Sequence, residues 1–188
     1  VFYDIASKLS KFETENSEET RDRWFDLMYD GWFRPGGSVM AGIRTDDNVS
    51  LINCTTLPLK EDTLEDIFKL NYEIAKCAAF RQGIGFDLSN LRPRKSFVGN
   101  AARYSTGTIP WMDMLSRVGD YVGQEGRKPA LLVSLKVSHP DIMEFLSSKD
   151  ELGNIENANI SVQITDDFMK AVEADEEWVM SFEVESNK

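Results

Sequence analysis

Apolar residues recur along this chain at two spacings. Over Glu18–Phe33 they stand three and four apart, so Trp24, Leu27, Met28 and Trp32 share one face with charges elsewhere. That spacing predicts an amphipathic helix whose aromatic stripe turns to a core. Gly31 is a weak point in it, and Pro35-Gly36-Gly37 ends it. From residue 38 short apolar runs alternate with helical ones. Val39–Ile43 suits a short strand, and Val49–Ile52 leads into Asn53-Cys54. Glu61-Asp62-Thr63-Leu64 opens a helix that Asp62 and Thr63 can cap, with Glu65 and Asp66 suited to the dipole of its first turn. Leu64, Ile67, Phe68, Ile74, Ala75 and Ala78 line one side of it. A strand is expected over Gly83–Leu88. A helix with Pro110 at its first position follows, carrying Trp111, Met114, Leu115, Val118 and Val122. The strand Ala130–Val137 leads into a short helix begun by Ser138 and Pro140 and running through Ile142, Phe145 and Leu146. After a polar connection over Asp150–Glu156 come a strand Asn159–Ile164, a helix Asp167–Ala174 and a strand Trp178–Val184.

Strands separated by helical runs imply βα units and a largely parallel sheet, an α/β fold. A parallel sheet needs both faces covered, and here a strong strand has no helix after it, so part of a larger fold is expected.

Composition narrows the function. The 188 residues are 41% hydrophobic and 28% charged, which suits one globular domain or a large piece of one. A formal charge of −11 argues against holding nucleic acid by its phosphates. A single nucleotide needs only a few local cations. Arg92, Arg94, Lys95 and Arg103 supply the densest basic cluster, in and beside the loop Pro93–Gly107, and Gln124–Pro129 forms a second basic loop. No apolar run reaches the roughly 18 residues of a membrane span, and Val1–Leu9 lacks the pattern of a signal peptide. Neither nucleic acid nor membrane is therefore expected as a partner. Cys54 and Cys77 make no disulfide framework, and a cytoplasmic setting follows. The single histidine, His139, excludes a site built from several histidines, and no metal is expected. It suits a turn or helix start, and the acidic run Glu173–Glu177 suits a solvated face.

The stretch Arg81–Pro93 links these elements. Gly83 and Gly85 remove Cβ where a ligand or another backbone can come close, and Pro93 pushes Arg92 towards extended geometry. A helix-to-strand turn followed by a strand end accounts for the same residues.

Taken in order, the motifs resemble the large (catalytic) subunit of ribonucleotide reductase. They are Pro-Gly-Gly-Ser-Val-Met-Ala-Gly-Ile-Arg-Thr at 35–45, Asn53-Cys54, Glu61–Phe68, Arg81–Pro93, Ser105-Thr106-Gly107, Gln124–Arg127, Val137–Ile142 and Asn159–Val162. Asn53-Cys54 and the His-Pro-Asp-Ile run look most like the adenosylcobalamin-dependent, class II branch. The resemblance implies about the first half of a ten-stranded α/β barrel with parallel strands. Residues 1–37 would be a short helical lead-in and 38–188 an incomplete half-barrel. It implies that Cys54 is one of the two cysteines that reduce a ribonucleotide, with its partner and the thiyl-radical cysteine elsewhere, and that Cys77 is a small buried hydrophobe. Asn53 and Gly83 match substrate contacts, and Gly37 falls near another. Asp62, Thr63 and Leu64 match the segment that holds the sugar and base of a deoxynucleotide effector, and Arg92 an arginine on its phosphates. A helix start beside a guanidinium suits an anion. Gln124, Arg127 and Lys128 match the loop that carries the effector's message to the substrate, although Lys128-Pro129 is stiffer than the family's glycine-rich pattern. The partners so implied are a ribonucleotide, a dNTP effector, the remaining half of the barrel in the same or a separate chain, a second copy in a homodimer and a thioredoxin-type reductant. A non-catalytic, deoxynucleotide-binding regulatory module of the same fold is the alternative.

Overall fold

The computed structural model describes residues 1–43, 45, 49–122, 129–149, 155 and 157–183. They form two compact units: residues 1–54 with 80–82, and the rest of the described chain.

The first unit is helical, with α1 (Phe2–Leu9), a 3-10 turn (Ser10–Phe12), α2 (Ser17–Tyr29) and α3 (Gly37–Gly42). Its small core is Ile5, Ala6, Met28 and Ile43, with Trp24, Phe25, Val39 and Met40 packed against it. Two expectations fail here. The stripe of the expected Glu18–Phe33 helix is only half buried, because α2 stops at Tyr29 and Gly31 takes a left-handed φ of 80°. A glycine just past a helix end readily adopts that conformation. The turn carries Trp32 off the helical periodicity and leaves it 82% exposed, and Leu27 is exposed as well. Phe25 packs in their place, edge-on to Tyr3 at 5.9 Å. Val39–Ile43, expected as a strand, lies in α3 and its C-cap, with Ile43 N–H donating to Val39 O at 3.1 Å. Helical spacing is what lets Val39, Met40 and Ile43 reach the same core, and tertiary packing overrides β-branched preference.

The second unit is built on a four-stranded sheet in the order β1 (Cys54–Leu57), β2 (Gly83–Asp87), β3 (Leu131–Lys136), β4 (Ala158–Gln163). β2 and β3 pair in parallel with Ile84 opposite Leu131, and β3 and β4 in parallel with Leu131 opposite Ala158. Helices α4 (Leu64–Ala79), α5 (Thr108–Val122) and α6 (Ile142–Ser147) stand between successive strands, and α7 (Asp166–Glu173) follows β4. The expected α/β architecture with a parallel sheet is present.

Alternation sorts each strand. Ile84, Phe86, Leu131, Val133, Leu135 and Ala158 are buried in one core with Ile67, Leu70, Ile74 and Ala78 of α4 and Met112 and Leu115 of α5. Leu64 and Phe68, expected on the buried side of α4, are exposed. On the alternate positions stand Gly85, Asp87, Leu132, Ser134, Lys136, Asn159, Ser161 and Gln163, none of them buried. There Ser134 Oγ donates to Asp87 Oδ2 at 2.6 Å, Gln163 Nε2 donates to the same oxygen, and Gln163 Nε2 meets Ser134 Oγ at 3.0 Å.

Two boundaries differ for local reasons. α5 begins at Thr108, so Pro110 is its third residue, where the missing N–H costs nothing because first-turn amides have no helical partner. Residues 178–183 form no strand. Their polar contacts go to the end of β3, with Trp178 Nε1 donating to Val137 O at 3.3 Å and Ser181 N–H to Ser138 O at 2.8 Å. Trp178 also packs edge-on to Phe168 of α7 at 5.1 Å, which accounts for its apolar character without a strand. Val184 lies outside the described residues. No helix among the described residues is long and apolar enough to cross a membrane.

Candidate functional site

The turn into α4 sets the geometry. Thr63 Oγ1 accepts the Asp66 N–H at 3.2 Å, and Asp66 Oδ2 accepts the Glu61 N–H at 3.0 Å. Thr63 therefore makes the capping bond and Asp66 answers it. This leaves Asp62 to form an ion pair with Arg92 Nε, both side chains being mostly buried. Arg92 also donates through Nη1 to Phe97 O at 2.9 Å. Asn90 ties the same two segments together, its Nδ2 donating to Leu59 O at 2.9 Å and Lys60 O at 3.3 Å. Its side chain carries no sequence signal beyond its place at the end of a strand.

Beyond Arg92 the loop folds back on itself as an irregular hairpin. Val98 N–H donates to Arg103 O at 2.8 Å, Lys95 N–H to Ser105 O at 2.9 Å and Ser105 N–H to Ser96 O at 2.8 Å, around a bridge between Phe97 and Tyr104. Asp62, Thr63 and Arg92 line two hollows. One, of about 320 Å³, is lined by Asp62, Thr63, Leu64, Arg92, Tyr104 and Trp111. The other, of about 630 Å³, takes Lys60, Asn90, Lys136, Ser138 and His139 into its wall with Arg92. Both fall in the size range of small-ligand sites. All four residues expected at an effector, Asp62, Thr63, Leu64 and Arg92, thus line the smaller hollow together.

His139 is 2% exposed. Its Nδ1 accepts the Asp141 N–H at 3.1 Å, so the ring proton sits on Nε2, which donates to Leu91 O at 2.8 Å. Both ring nitrogens are used in holding the turn before α6.

The residues expected at a substrate are placed differently. Cys54 is an exposed free thiol at the first position of β1. Asn53 accepts the Ser38 N–H on Oδ1 at 3.2 Å, and its Nδ2 stands 2.8 Å from where a Cβ on Gly36 would be. A side chain at Gly36 would therefore have to displace the Asn53 amide. A Cβ on Gly37 would meet nothing within 4 Å. Gly83 opens β2 and is half-buried. Cys77 is half-buried on α4, where burial first and Glu73 second push its thiol pKa up, against a smaller pull from Lys76. Gln124, Arg127 and Lys128 lie outside the described residues.

The sequence profile of the family described as "Ribonucleotide reductase, barrel domain" matches residues 52–186. Among similar curated proteins, a vitamin B12-dependent ribonucleoside-diphosphate reductase of Thermoplasma acidophilum is 37% identical over 125 residues, covering 65% of this chain and 16% of that protein. One of the same name from Mycobacterium tuberculosis is 29% identical over 171 residues, covering 90% and 24%. A ribonucleoside-diphosphate reductase large subunit of Variola virus is 28% identical over 180 residues, covering 93% and 23%. The chain spans no more than 24% of the length of these relatives.

Proposed function

Given that this chain belongs to the ribonucleotide reductase barrel-domain family, we propose that it is the portion of a ribonucleoside-diphosphate reductase that carries one redox cysteine, part of the substrate site and the specificity-effector site. The helical lead-in would be residues 1–37, and 38–188 about the first half of the ten-stranded barrel. The observation that carries this reading is the exposed Cys54 thiol at the head of β1, inside the matched region. The diphosphate substrate is taken from the names of the relatives.

Replacing a ribose 2′-hydroxyl by hydrogen consumes two electrons and two protons. Two thiols supply them: both S–H bonds break, one S–S bond forms, the C–O bond is cleaved and the oxygen leaves as water. Cys54 would be one of the two. Cys77, half-buried with its pKa raised, is poorly suited to be the other, since the thiolate is the reactive form in exchange with a reductant. The second thiol and the radical cysteine would come from the rest of the barrel, and a thioredoxin-type protein would reopen the disulfide. Asn53, Gly83 and Gly37 would border the substrate. Asp62, Thr63, Leu64 and Arg92 would hold a dNTP, and Gln124, Arg127 and Lys128 would carry its message.

Two of the relatives are named for vitamin B12 dependence, which supports a cobalamin cofactor for the protein as a whole. Both nitrogens of His139, the chain's single histidine, are already engaged, so the residues that would hold that group are assigned to the rest of the protein. No step here runs through it. A cytoplasmic homodimer completes the proposal.

Replacing Cys54 by Ser in the protein as its source makes it should abolish reduction of ribonucleoside diphosphates while leaving dNTP binding at its wild-type affinity. Undiminished turnover would sink the redox assignment. The second reading, a non-catalytic dNTP-binding module, is favoured by the way the effector candidates line one hollow. It predicts dNTP binding with no turnover in either protein.

A further inference from the structure

Both feet of the hairpin that walls the smaller hollow rest on one carboxylate. Asp141 is 6% exposed. It accepts the Arg94 N–H at 3.0 Å on Oδ1 and 3.3 Å on Oδ2. Oδ2 also accepts the Thr108 N–H at 2.9 Å and the Thr108 hydroxyl at 3.2 Å. Arg94 stands where the hairpin leaves β2, and Thr108 where it enters α5. Asp141 occupies the N-cap position of α6 yet makes no side-chain capping bond there, although that is the ordinary use of Asp at such a place. Its carboxylate is turned to the hairpin instead. Its backbone is fixed in turn, because its N–H is held by His139, whose other nitrogen holds Leu91 O. Gly107 shows how close the junction is: at a φ of 86°, a Cβ there would stand 2.8 Å from both Arg94 Cβ and Asp141 Oδ2. The outer side of the same foot is tied to α6 through Arg94 Nη1 and Glu144 Oε1 at 3.1 Å.

We infer that Asp141 is a positioning residue for the bound nucleotide: by clamping Arg94 to Thr108 it keeps the hairpin closed and the hollow beside Arg92 formed before a ligand arrives. A hairpin that had to be ordered on binding would lower affinity by the cost of that ordering. A buried carboxylate satisfied by these donors holds them strongly, and removing its charge leaves donors facing a donor. The inference rests on reading that hollow as the effector site.

The test is equilibrium binding of dATP, dGTP and dTTP to the intact protein, with amide hydrogen exchange followed over residues 95–106. Asp141→Asn keeps the shape of the side chain and sets an NH2 against the amides it held. It should weaken binding by about tenfold or more, on the scale of a hydrogen bond to a charged group, and speed exchange in the hairpin. Thr108→Val removes only the hydroxyl bond and should weaken binding by about three- to fivefold. Added to Asp141→Asn it should weaken binding little further, because the two changes remove one shared bond. Affinity unchanged in both variants, with only a lowered melting temperature, would make Asp141 a plain fold residue and overturn the inference. If the wild-type protein binds none of the three nucleotides, the effector reading fails and takes the inference with it. If Asp141→Asn does not accumulate folded, Thr108→Val alone decides.

Discussion

Ile84, Phe86, Leu131, Val133 and Leu135 on one face of the sheet are at most 3% exposed, while Leu132 on the other face is 45% exposed among serine, glycine, aspartate and glutamine. Neighbouring positions of the same strands therefore follow opposite rules. The first face is covered by α4 and α5 and reads as stability. The second is polar and carries hydrogen bonds from strand to strand; Gly83 at the head of β2 and Arg92 beyond its tail are among the residues proposed above to bind substrate and effector. On the reading proposed above, the polar face would be the inner wall of the barrel, since a parallel sheet ordinarily has both faces covered.

The comparison breaks first at Phe86. Phe86→Ala should cost about 3–5 kcal/mol of unfolding free energy, measured by urea denaturation. Leu132→Ser, on the other face of the adjacent strand, should change it by no more than about 0.5 kcal/mol. A Leu132 cost near that of Phe86 would mean that something packs on the polar face in the intact protein. Next in size is Arg92→Ala, which removes a guanidinium and leaves the Asp62 carboxylate without its ion pair. It should lower dNTP affinity by about ten- to a hundredfold, the worth of a charge-assisted hydrogen bond, and speed amide exchange around Phe97, whose carbonyl loses its Arg92 donor. Unaltered affinity would remove the strand ends from the functional side of the comparison. The smallest effect is at Cys77. A raised pKa leaves less thiolate at a given pH, so at pH 8 iodoacetamide should modify the exposed Cys54 well before Cys77. Labelling of Cys77 should keep rising as the pH is taken beyond the range of an ordinary thiol. Equal rates at pH 8, read by mass spectrometry, would contradict its burial.

How much of this could be read from the residues varies with the range of the interaction. The Thr63 cap lies within one turn of the helix it starts, and Thr63 was legible as one of two capping candidates beside Asp62. So were β2, β3 and β4 within a residue or two, since each alternates or runs apolar between turn residues. Asp62 was legible as a cap and serves instead as the partner of Arg92, thirty positions on, which no local pattern encodes. The clamp at Asp141 was hidden behind an ordinary capping position, because its donors come from two other segments. Trp32 and Trp178 misled for one reason: an aromatic residue announces burial without saying against what. Trp32 is left exposed beyond Gly31, and Trp178 packs on α7 without joining a strand.

Local periodicity and capping chemistry, acting over a few residues, were enough to determine the alternation of helices and strands, the start of α4 and the run of motifs that mark the family. Only the tertiary structure decided that Val39–Ile43 would be helical, which face of each strand would be covered, and which carboxylate would meet Arg92. Those outcomes depend on buried contacts and hydrogen bonds between segments far apart in the chain, whose free energy exists only once the segments have met.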